Sequence, residues 1–308
     1  MSVCFIDCSP FMRALLTPDL AARVPGLIVH GEPDSPAAVV ERLRGVVVAV
    51  NGHTPMPRDL LRRCSGLRGI VFLGSGASSY IDVDAAAELG IAVRTVMGYG
   101  DRTVAEHAMA LMLAASRRVA EMDRAVRSGH WEPLEGMDLV GKRLGVIGTG
   151  GIGATFMRLA DAFGMAVVAW NRSPPAATLP GLLVPLDELL ATSDVVSLHL
   201  ALTGETRHFL DAARFARLKP GAILVNTARG ALIEETALID TLRAGRLRHA
   251  ALDVFVDEPL PAGHPLTRLE NVTLTAHAGY KTPEASRRLL IMGLDLAVRD
   301  LGTFGGGP

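Results

Sequence analysis

The chain has 308 residues, of which 49% are hydrophobic and 20% charged, an ordinary composition for a folded protein and more than one hydrophobic core usually serves. Its 31 basic and 32 acidic side chains leave a net charge of -1, which gives no long-range attraction to nucleic acid or an anionic membrane. We therefore expect two domains and a small-molecule ligand, with no nucleic-acid or membrane partner.

The N-terminus and the cysteines predict a cytoplasmic location. No basic segment precedes the apolar run Val3–Ile6, which Asp7 interrupts, so a secretory signal peptide is not predicted. No segment approaches the roughly 18 apolar residues of a membrane-spanning helix. Cys4, Cys8 and Cys64 are odd in number and lack CxxC spacing, so neither a disulfide framework nor a metal site is expected.

Over residues 1–98, short β-branched runs alternate with segments of helical periodicity. Ser35 and Pro57 are typical of residues that open helices. Because the apolar runs are continuous, they predict a parallel sheet covered on both faces. The predicted strands are Val3–Ile6, Leu27–His30, Val46–Val50, Gly69–Leu73 and Ile91–Thr95.

Residues 103–128 lack proline and repeat apolar side chains every three or four positions, which predicts one long helix connecting two domains. A second β/α alternation follows, and the last helical stretch, Glu284–Leu301, is expected to return to the first domain. The domains are thus 1–98 plus 283–308, and 99–282, with a loose tail from Gly305. The strands predicted in the second domain are Arg143–Ile147, Ala166–Trp170, Val195–Leu200, Ala222–Asn226, His249–Val254 and Val272–Thr275.

A glycine-rich loop separates a predicted strand from a predicted helix, Ala154–Phe163. Alone, such a loop is often only a turn, but in this context it fits the GxGxxG pattern of dinucleotide-binding Rossmann domains. There Gly148 makes the tight turn, Gly150 lets the backbone approach a pyrophosphate, and Gly153 permits close helix–strand packing. The sequence therefore predicts a nicotinamide dinucleotide at Gly148, Thr149, Gly150, Gly151, Ile152 and Gly153.

Asn171 stands where such domains commonly carry an acid, and Arg172 and Ser173 follow it. The acid accepts hydrogen bonds from the ribose hydroxyl of NAD and repels the 2'-phosphate of NADP, whereas arginine donates to phosphate. We therefore predict that NADP is preferred over NAD. The alternative is that Arg172 is a solvated charge at a strand end.

Three chemically active side chains follow predicted strands of the second domain: Arg229, Glu258 and His277. Ligands of open α/β sheets bind at the carboxyl ends of strands, so we expect the three at one edge. Reduction of a 2-keto acid needs a cation to bind the carboxylate and an acid to protonate the ketone oxygen as hydride arrives. Arg229 and His277 match those needs, and Glu258 could orient the imidazole. Taken singly, each residue has a purely structural alternative.

The order of four segments resembles the D-isomer-specific 2-hydroxyacid dehydrogenase family. The resemblance covers essentially the whole chain and includes LGSG at 73–76, VAEH at 104–107 and SLHL at 197–200. The four main segments are GTGGIG at 148–153, NTARGALI at 226–233, AALDVF at 250–255 with Glu-Pro at 258–259, and LTAHAGY at 274–280.

The resemblance implies a flavodoxin-like substrate domain and a Rossmann cofactor domain, both doubly wound α/β folds with parallel sheets, and an active site in the cleft between them. It implies that Arg229 binds the substrate carboxylate and carbonyl, that His277 is the acid/base, and that Glu258 pairs with His277. Backbone N–H groups around Ser75 and Gly76 would also bind the substrate carboxylate. It further implies a homodimer and cofactor contacts from Thr103, Thr227 and Asp253.

Some positions depart from the family pattern. Ala276 and Ala201 replace prolines, and Ser78-Ser79-Tyr80 replaces a stretch beside the substrate loop, which leaves the substrate side chain open. The substrate is expected to be glyoxylate, hydroxypyruvate, pyruvate or a similar 2-keto acid. The alternative is a dinucleotide-sensing interaction protein, resembling the corepressors among its relatives, that binds without turnover. Another Rossmann enzyme, such as a methyltransferase, would explain only the glycine loop.

Overall fold

The computed structural model describes residues 2–173 and 178–305. The chain forms two compact units, Met1–Gly100 with Lys281–Pro308, and Asp101–Tyr280. Three residues of the predicted loose tail, 306–308, lie outside the described residues. No described helix combines the length and the apolar character needed to cross a membrane.

The first unit contains a parallel sheet whose central strands are buried on both faces. Its strands are β1 (Val3–Phe5), β2 (Ile28–Val29), β3 (Val48–Asn51), β4 (Gly69–Phe72) and β5 (Ala92–Thr95). They lie in the order β2-β1-β3-β4-β5, the order of flavodoxin-like doubly wound folds. The helices between them are α1 (Pro10–Leu15), α2 (Pro18–Ala21), α3 (Pro36–Arg42), α4 (Arg58–Arg62) and α5 (Val83–Glu88).

The second unit contains a larger parallel sheet. Its strands are β6 (Arg143–Ile147), β7 (Ala166–Trp170), β8 (Leu182–Leu183), β9 (Val195–Leu198), β10 (Ala222–Asn226), β11 (Leu247–Leu252) and β12 (Val272–Leu274). The order β12-β11-β10-β9-β6-β7-β8 reverses direction at β6, as in the Rossmann fold. Its helices are α6 (Asp101–Ser116), α7 (Val119–Arg127), α8 (Gly151–Ala162), α9 (Leu186–Thr192), α10 (Ala212–Arg217) and α11 (Glu235–Arg243).

The predicted fold class of two parallel α/β sheets is confirmed. Every predicted strand is present, with ends that agree to within two residues. Ser35 caps α3 as predicted, because its Oγ accepts a hydrogen bond from the backbone N–H of Ala38 at 3.2 Å. Strand β8 was not predicted, since it has only two residues and both are exposed.

The prediction of one long helix over residues 103–128 is wrong. Helix α6 ends at Ser116, and α7 begins at Val119. Arg118 between them has a φ of 53°, a left-handed conformation that a helix cannot contain. Its guanidinium donates hydrogen bonds of 2.8 and 2.6 Å to the carboxylate of Glu121, which holds the break.

The C-terminal helix, α12 (Pro283–Gly305), belongs to the first unit and packs on α1, β3 and β4. Leu290, Leu294 and Ala297 are spaced by four and three residues, so they lie on one helix face. All three are buried in a core that includes Val50 and Val71 of the sheet. Residues that follow the second unit thus complete the core of the first.

We expect Leu290→Ala to lower the free energy of unfolding by about 2–5 kcal/mol, because it leaves a cavity beneath α12. The matched control is Met292→Ala on the same helix, where the side chain is 38% exposed and the expected change is within about 0.5 kcal/mol. Chemical denaturation measures both. Equal effects of the two substitutions would contradict this packing.

Candidate active site

The glycine loop connects β6 to α8, and two of its glycines are required by close backbone contacts. Gly148 has a φ of 98°, and a Cβ there would lie 2.5 Å from the carbonyl oxygen of His199. A Cβ on Gly153 would lie 2.0 Å from the carbonyl oxygen of Gly148. Gly150 differs, because a Cβ there would meet no atom within 4 Å in the described part of the chain, apart from its neighbours in sequence. Its open side can admit a ligand to the backbone.

The surroundings of this loop fit a dinucleotide. Gly150 is the N-cap of α8, so the helix presents free N–H groups and its positive dipole end next to the open position. The hydroxyls of Thr149 and Thr227 are buried and have no hydrogen-bond partner within the described part of the chain. Buried hydroxyls are normally hydrogen-bonded, so both have capacity for a ligand. Thr103, also buried, lies in the first turn of α6, which packs on α8.

Asn171 and Arg172, which follow β7, already form hydrogen bonds or an ion pair with other residues of the protein. Asn171 Oδ1 accepts from the backbone N–H of Thr149 at 3.2 Å, and its Nδ2 donates to the carbonyl of Ser173 at 2.6 Å. The guanidinium of Arg172 forms an ion pair with Glu205, in which both side chains are 77% exposed. Asn171 therefore braces the glycine loop, while Arg172 remains at the surface.

Two of the predicted catalytic side chains form a short contact. Glu258 Oε2 lies 2.6 Å from Nδ1 of His277, and Glu258 Oε1 accepts from the backbone N–H of Phe255 at 2.9 Å. Burial raises the pKa of the Glu258 carboxyl, but the hydrogen bonds from His277 and Phe255 and the charge of Arg229 outweigh it and lower the pKa overall. Glu258 is therefore an anion beside the imidazole at neutral pH.

Arg229 lies in the loop after β10, next to a tight backbone contact. The side chain of Asn226 closes this loop, because it donates to the carbonyl of Arg229 at 2.9 Å and accepts from the N–H of Ala228 at 3.0 Å. A Cβ on Gly230 would overlap the backbone of Phe255, so the loops after β10 and β11 are in contact. The structure thus brings Arg229, Glu258 and His277 to one edge of the sheet.

Asp253, which follows β11, is 1% exposed and collects hydrogen bonds from several elements. Its carboxylate accepts from the hydroxyl of Thr275 at 2.6 Å and from the backbone N–H groups of Ala278 and Gly279, both at 2.9 Å. Burial raises its pKa, but these bonds and the contact with His107 outweigh burial and lower the pKa. Asp253 is thus an anion that holds the segment on either side of His277.

Two histidines to which the sequence analysis gave no role also lie in this region. His107, on α6, contacts both Thr275 and Asp253. It was missed because it lies on a helix and not at the end of a strand. His199 contacts the hydroxyl of Ser197 at 2.9 Å, and desolvation lowers its pKa to about 4, so it is neutral near pH 7.

A third missed residue is Asp101, which lies against the glycine loop. A Cβ on Gly151 would overlap its carboxylate, and burial raises the Asp101 pKa. No motif in the sequence signals this contact.

In the first unit, the loops after β3 and β4 run side by side. The backbone N–H of Leu73 donates to the backbone carbonyl of Asn51 at 2.8 Å, and the N–H of Met56 donates to the backbone carbonyl of Tyr80 at 2.7 Å. Ser75 is exposed, and Gly76 precedes a short 3-10 turn. Their backbone N–H groups donate to no acceptor in residues 2–173 and 178–305.

Comparison with known proteins gives one consistent family. A profile described as D-isomer specific 2-hydroxyacid dehydrogenase, NAD binding domain, matches residues 109–279. The chain is 40% identical over 261 residues to a hydroxypyruvate reductase of Thermotoga maritima, covering 83% of this chain and 85% of that protein. It is 41% identical over 246 residues to a glyoxylate reductase of Aeropyrum pernix, covering 76% and 73%.

Among solved structures, an acyclic imino acid reductase in complex with NADPH and D-Arg matches with a TM-score of 0.86 and 28% identity, covering 95% of this chain and 94% of that one. The chain therefore belongs to the D-isomer-specific 2-hydroxyacid dehydrogenase family, as its motifs predicted. It is an oxidoreductase that transfers a hydride between a nicotinamide cofactor and a 2-keto or 2-hydroxy acid. The comparisons give no support to the sensor alternative.

The loop geometry generates a paired prediction. We expect Gly153→Ala to lower the free energy of unfolding by about 1–3 kcal/mol, since its methyl group meets a backbone oxygen. Gly150→Ala should leave stability unchanged but raise the Kd for NADPH about tenfold, a change of about 1.4 kcal/mol. Thermal unfolding and a fluorescence titration measure the two effects. Unchanged NADPH affinity in Gly150→Ala would show that the backbone at Gly150 does not contact the cofactor.

Proposed function

We propose that this dehydrogenase reduces a small 2-keto acid, such as glyoxylate, hydroxypyruvate or pyruvate, with His277 as proton donor and NADPH as the preferred hydride source. The observation that carries the proposal is the 2.6 Å contact of His277 with Glu258 at the sheet edge that also holds Arg229. The hydroxypyruvate and glyoxylate reductases to which the chain is similar support this choice of substrates.

His277 acts through the nitrogen that Glu258 leaves available. Nδ1 faces the Glu258 carboxylate, so Nε2 is the atom that gives its proton to the ketone oxygen during reduction and takes it back during oxidation. The carboxylate fixes the orientation of the ring through this contact. Glu258 thus makes the imidazole a better-placed acid without contacting the substrate.

Arg229 binds the substrate carboxylate and stabilises the charge that develops on the ketone oxygen. Its Nη1 donates to the carbonyl of Ala228 at 2.7 Å, which leaves its other N–H groups for the substrate. A guanidinium presents paired donors in the geometry of a carboxylate. Lysine at this position would supply charge without that geometry.

A bound nicotinamide cofactor supplies the hydride. The residues that would hold it are the glycine loop with the N-terminus of α8, the hydroxyls of Thr149 and Thr227, and Thr103 on α6. Asp253 and the loop that it holds are the proposed neighbours of the nicotinamide. The Asp253 carboxylate is hydrogen-bonded on both oxygens, which fixes its position.

In the first unit, the N–H groups of Ser75 and Gly76 are the proposed partners of the substrate carboxylate. The loop after β3 is less suitable, because the buried carboxylate of Asp7 already accepts from the N–H groups of Gly52, His53 and Thr54 at 2.8, 2.8 and 2.9 Å. An anion bound there would have to displace Asp7. The β4 loop offers donors without that competitor.

The preference for NADPH rests on Arg172. Its exposed ion pair with Glu205 is worth about 0–1 kcal/mol, whereas a charge-assisted bond to a phosphate is worth about 1.5–3 kcal/mol. Arg172 can therefore exchange Glu205 for the 2'-phosphate at small cost. The similar imino acid reductase, whose structure is a complex with NADPH, supports this choice of cofactor.

A homodimer and a cytoplasmic location complete the proposal. Val119 and Val126 of α7 are each 51% exposed, and Trp131 is 88% exposed; these exposed apolar side chains are the basis for proposing that a second copy of the chain covers them. Light scattering that gives the mass of a single chain would exclude the dimer. The three cysteines are free and buried, as is common in a reducing compartment.

We expect His277→Ala to lower kcat by about 10²–10⁴-fold, because the proton donor is lost. Binding of NADPH should be unchanged. The matched control is His130→Ala, an exposed histidine whose loss should leave kcat unaltered. Absorbance of the reduced nicotinamide measures turnover with glyoxylate, hydroxypyruvate and pyruvate in turn. Normal turnover in His277→Ala would refute the assigned role, and no turnover with any 2-keto acid would refute the proposed substrate class.

We expect Arg172→Ala to lower kcat/KM for NADPH about tenfold or more while leaving that for NADH within about twofold, because only NADPH carries the 2'-phosphate. Glu205→Gln should act in the opposite direction, since it removes the competing carboxylate. Steady-state rates with both cofactors measure the ratio. A wild-type preference for NADH would overturn the cofactor proposal.

A further inference from the structure

Helix α6 places a histidine against the segment that carries the proposed proton donor. Nε2 of His107 lies 3.1 Å from Oγ1 of Thr275 and 3.3 Å from Oδ1 of Asp253. A Cβ on Gly279 would lie 3.4 Å from Cδ2 of the same ring. The His107 side chain is 23% exposed, so these contacts form in a partly buried environment.

The single hydrogen of the Thr275 hydroxyl determines which atom donates in each of these hydrogen bonds. The hydroxyl of Thr275 has one hydrogen, and its 2.6 Å bond to Asp253 Oδ1 uses that hydrogen because an ionised carboxylate only accepts. Oγ1 of Thr275 must therefore accept from Nε2–H of His107. His107 is therefore connected to Asp253 through Thr275, and its Nε2 also lies 3.3 Å from Oδ1 of Asp253 itself.

The same carboxylate fixes the backbone on both sides of His277. Asp253 accepts from the N–H groups of Ala278 and Gly279, and its backbone carbonyl accepts from the N–H of His277 at 2.8 Å. His277 has a φ of 49°, a left-handed conformation. Such a conformation persists in a non-glycine residue only where the surrounding contacts hold it.

We propose that His107 is a positioning residue, which acts through Thr275 and Asp253 to hold His277 in the conformation that directs its imidazole toward the substrate. The inference rests on the proposed function, in which His277 is the proton donor. In the part of the chain that the structure describes, His107 contacts neither Arg229 nor Glu258. Its loss should therefore affect turnover more than binding.

The test compares His107→Ala with His107→Gln, whose side-chain amide retains an N–H donor. We expect His107→Ala to lower kcat about 10–100-fold, the effect of a small misplacement of a catalytic group. KM for the keto acid and Kd for NADPH should stay within about twofold, since the change acts on the transition state. His107→Gln should recover most of kcat, whereas His107→Leu, which fills similar space without a donor, should not.

Thr275 supplies an independent test through the same hydrogen bonds. Thr275→Ser keeps the hydroxyl and should retain kcat, whereas Thr275→Val removes it and should be slow. The loss of kcat in the double variant of His107→Ala with Thr275→Val should be smaller than the product of the two single losses, because both substitutions act on Asp253. If His107→Ala does not fold, the Thr275 pair alone decides: equal rates for serine and valine overturn the proposal.

The controls separate this inference from the proposed function. Wild type and His277→Ala are measured in the same assay, and an active His277→Ala refutes the proposed function itself. If His277→Ala is inactive but His107→Ala turns over as wild type does, only the role of His107 is overturned. Equal rates for His107→Ala and His107→Gln also overturn it. The role of His107 is also overturned if His107→Ala lowers the affinity for NADPH and the melting temperature in proportion to its loss of kcat.

Discussion

The buried carboxylate of Asp253 connects the elements that form the proposed catalytic edge of the second sheet. Burying a charge is costly unless hydrogen bonds replace its hydration. Here the donors come from Thr275, from the backbone after β12, and from His107 on α6. Each donor lowers the pKa of the carboxyl, so the anion and the loop geometry stabilise each other. Asp253 can therefore control the backbone on either side of His277, the proposed proton donor.

In the first unit, the buried carboxylate of Asp7 also collects hydrogen bonds, but it occupies donors that a ligand could otherwise use. Asp7, which follows β1, accepts three backbone N–H groups and the hydroxyl of Thr54 after β3. That cluster fills the edge where a doubly wound sheet usually binds ligands. The neighbouring loop at Ser75 and Gly76 keeps its donors available. Because Asp7 already occupies the N–H groups of the loop after β3, the loop at Ser75 and Gly76 is the remaining candidate for a substrate contact.

The sequence predicted those features that local patterns determine. Buried parallel strands give continuous apolar runs, and a glycine loop between strand and helix has a definite spacing, so both were recognised. Arg229, Glu258 and His277 were selected as candidates because each follows a strand, where ligands of open α/β sheets bind. The residues that were missed depend on tertiary contacts. His107 lies on a helix, far along the chain from Thr275, and nothing in the helical periodicity distinguishes it from a surface residue.

The break between α6 and α7 was missed for a related reason. Apolar spacing continues through Val119 and Met122, whereas the break depends on the backbone of Arg118 and its bonds to Glu121. Periodicity reports which face is apolar and is insensitive to one residue with a positive φ.

The two arginines that are proposed to bind anions differ in whether they have a carboxylate partner. The chain is nearly neutral overall, so recognition of an acid depends on where single charges remain unpaired. Arg172 has a carboxylate partner in Glu205, which a phosphate must displace. Within the described residues, Arg229 has no carboxylate at salt-bridge distance and bonds instead to the carbonyl of Ala228. Arg229 can therefore bind the proposed substrate carboxylate without displacing a protein carboxylate, whereas Arg172 has to release Glu205 before it can bind the proposed 2'-phosphate.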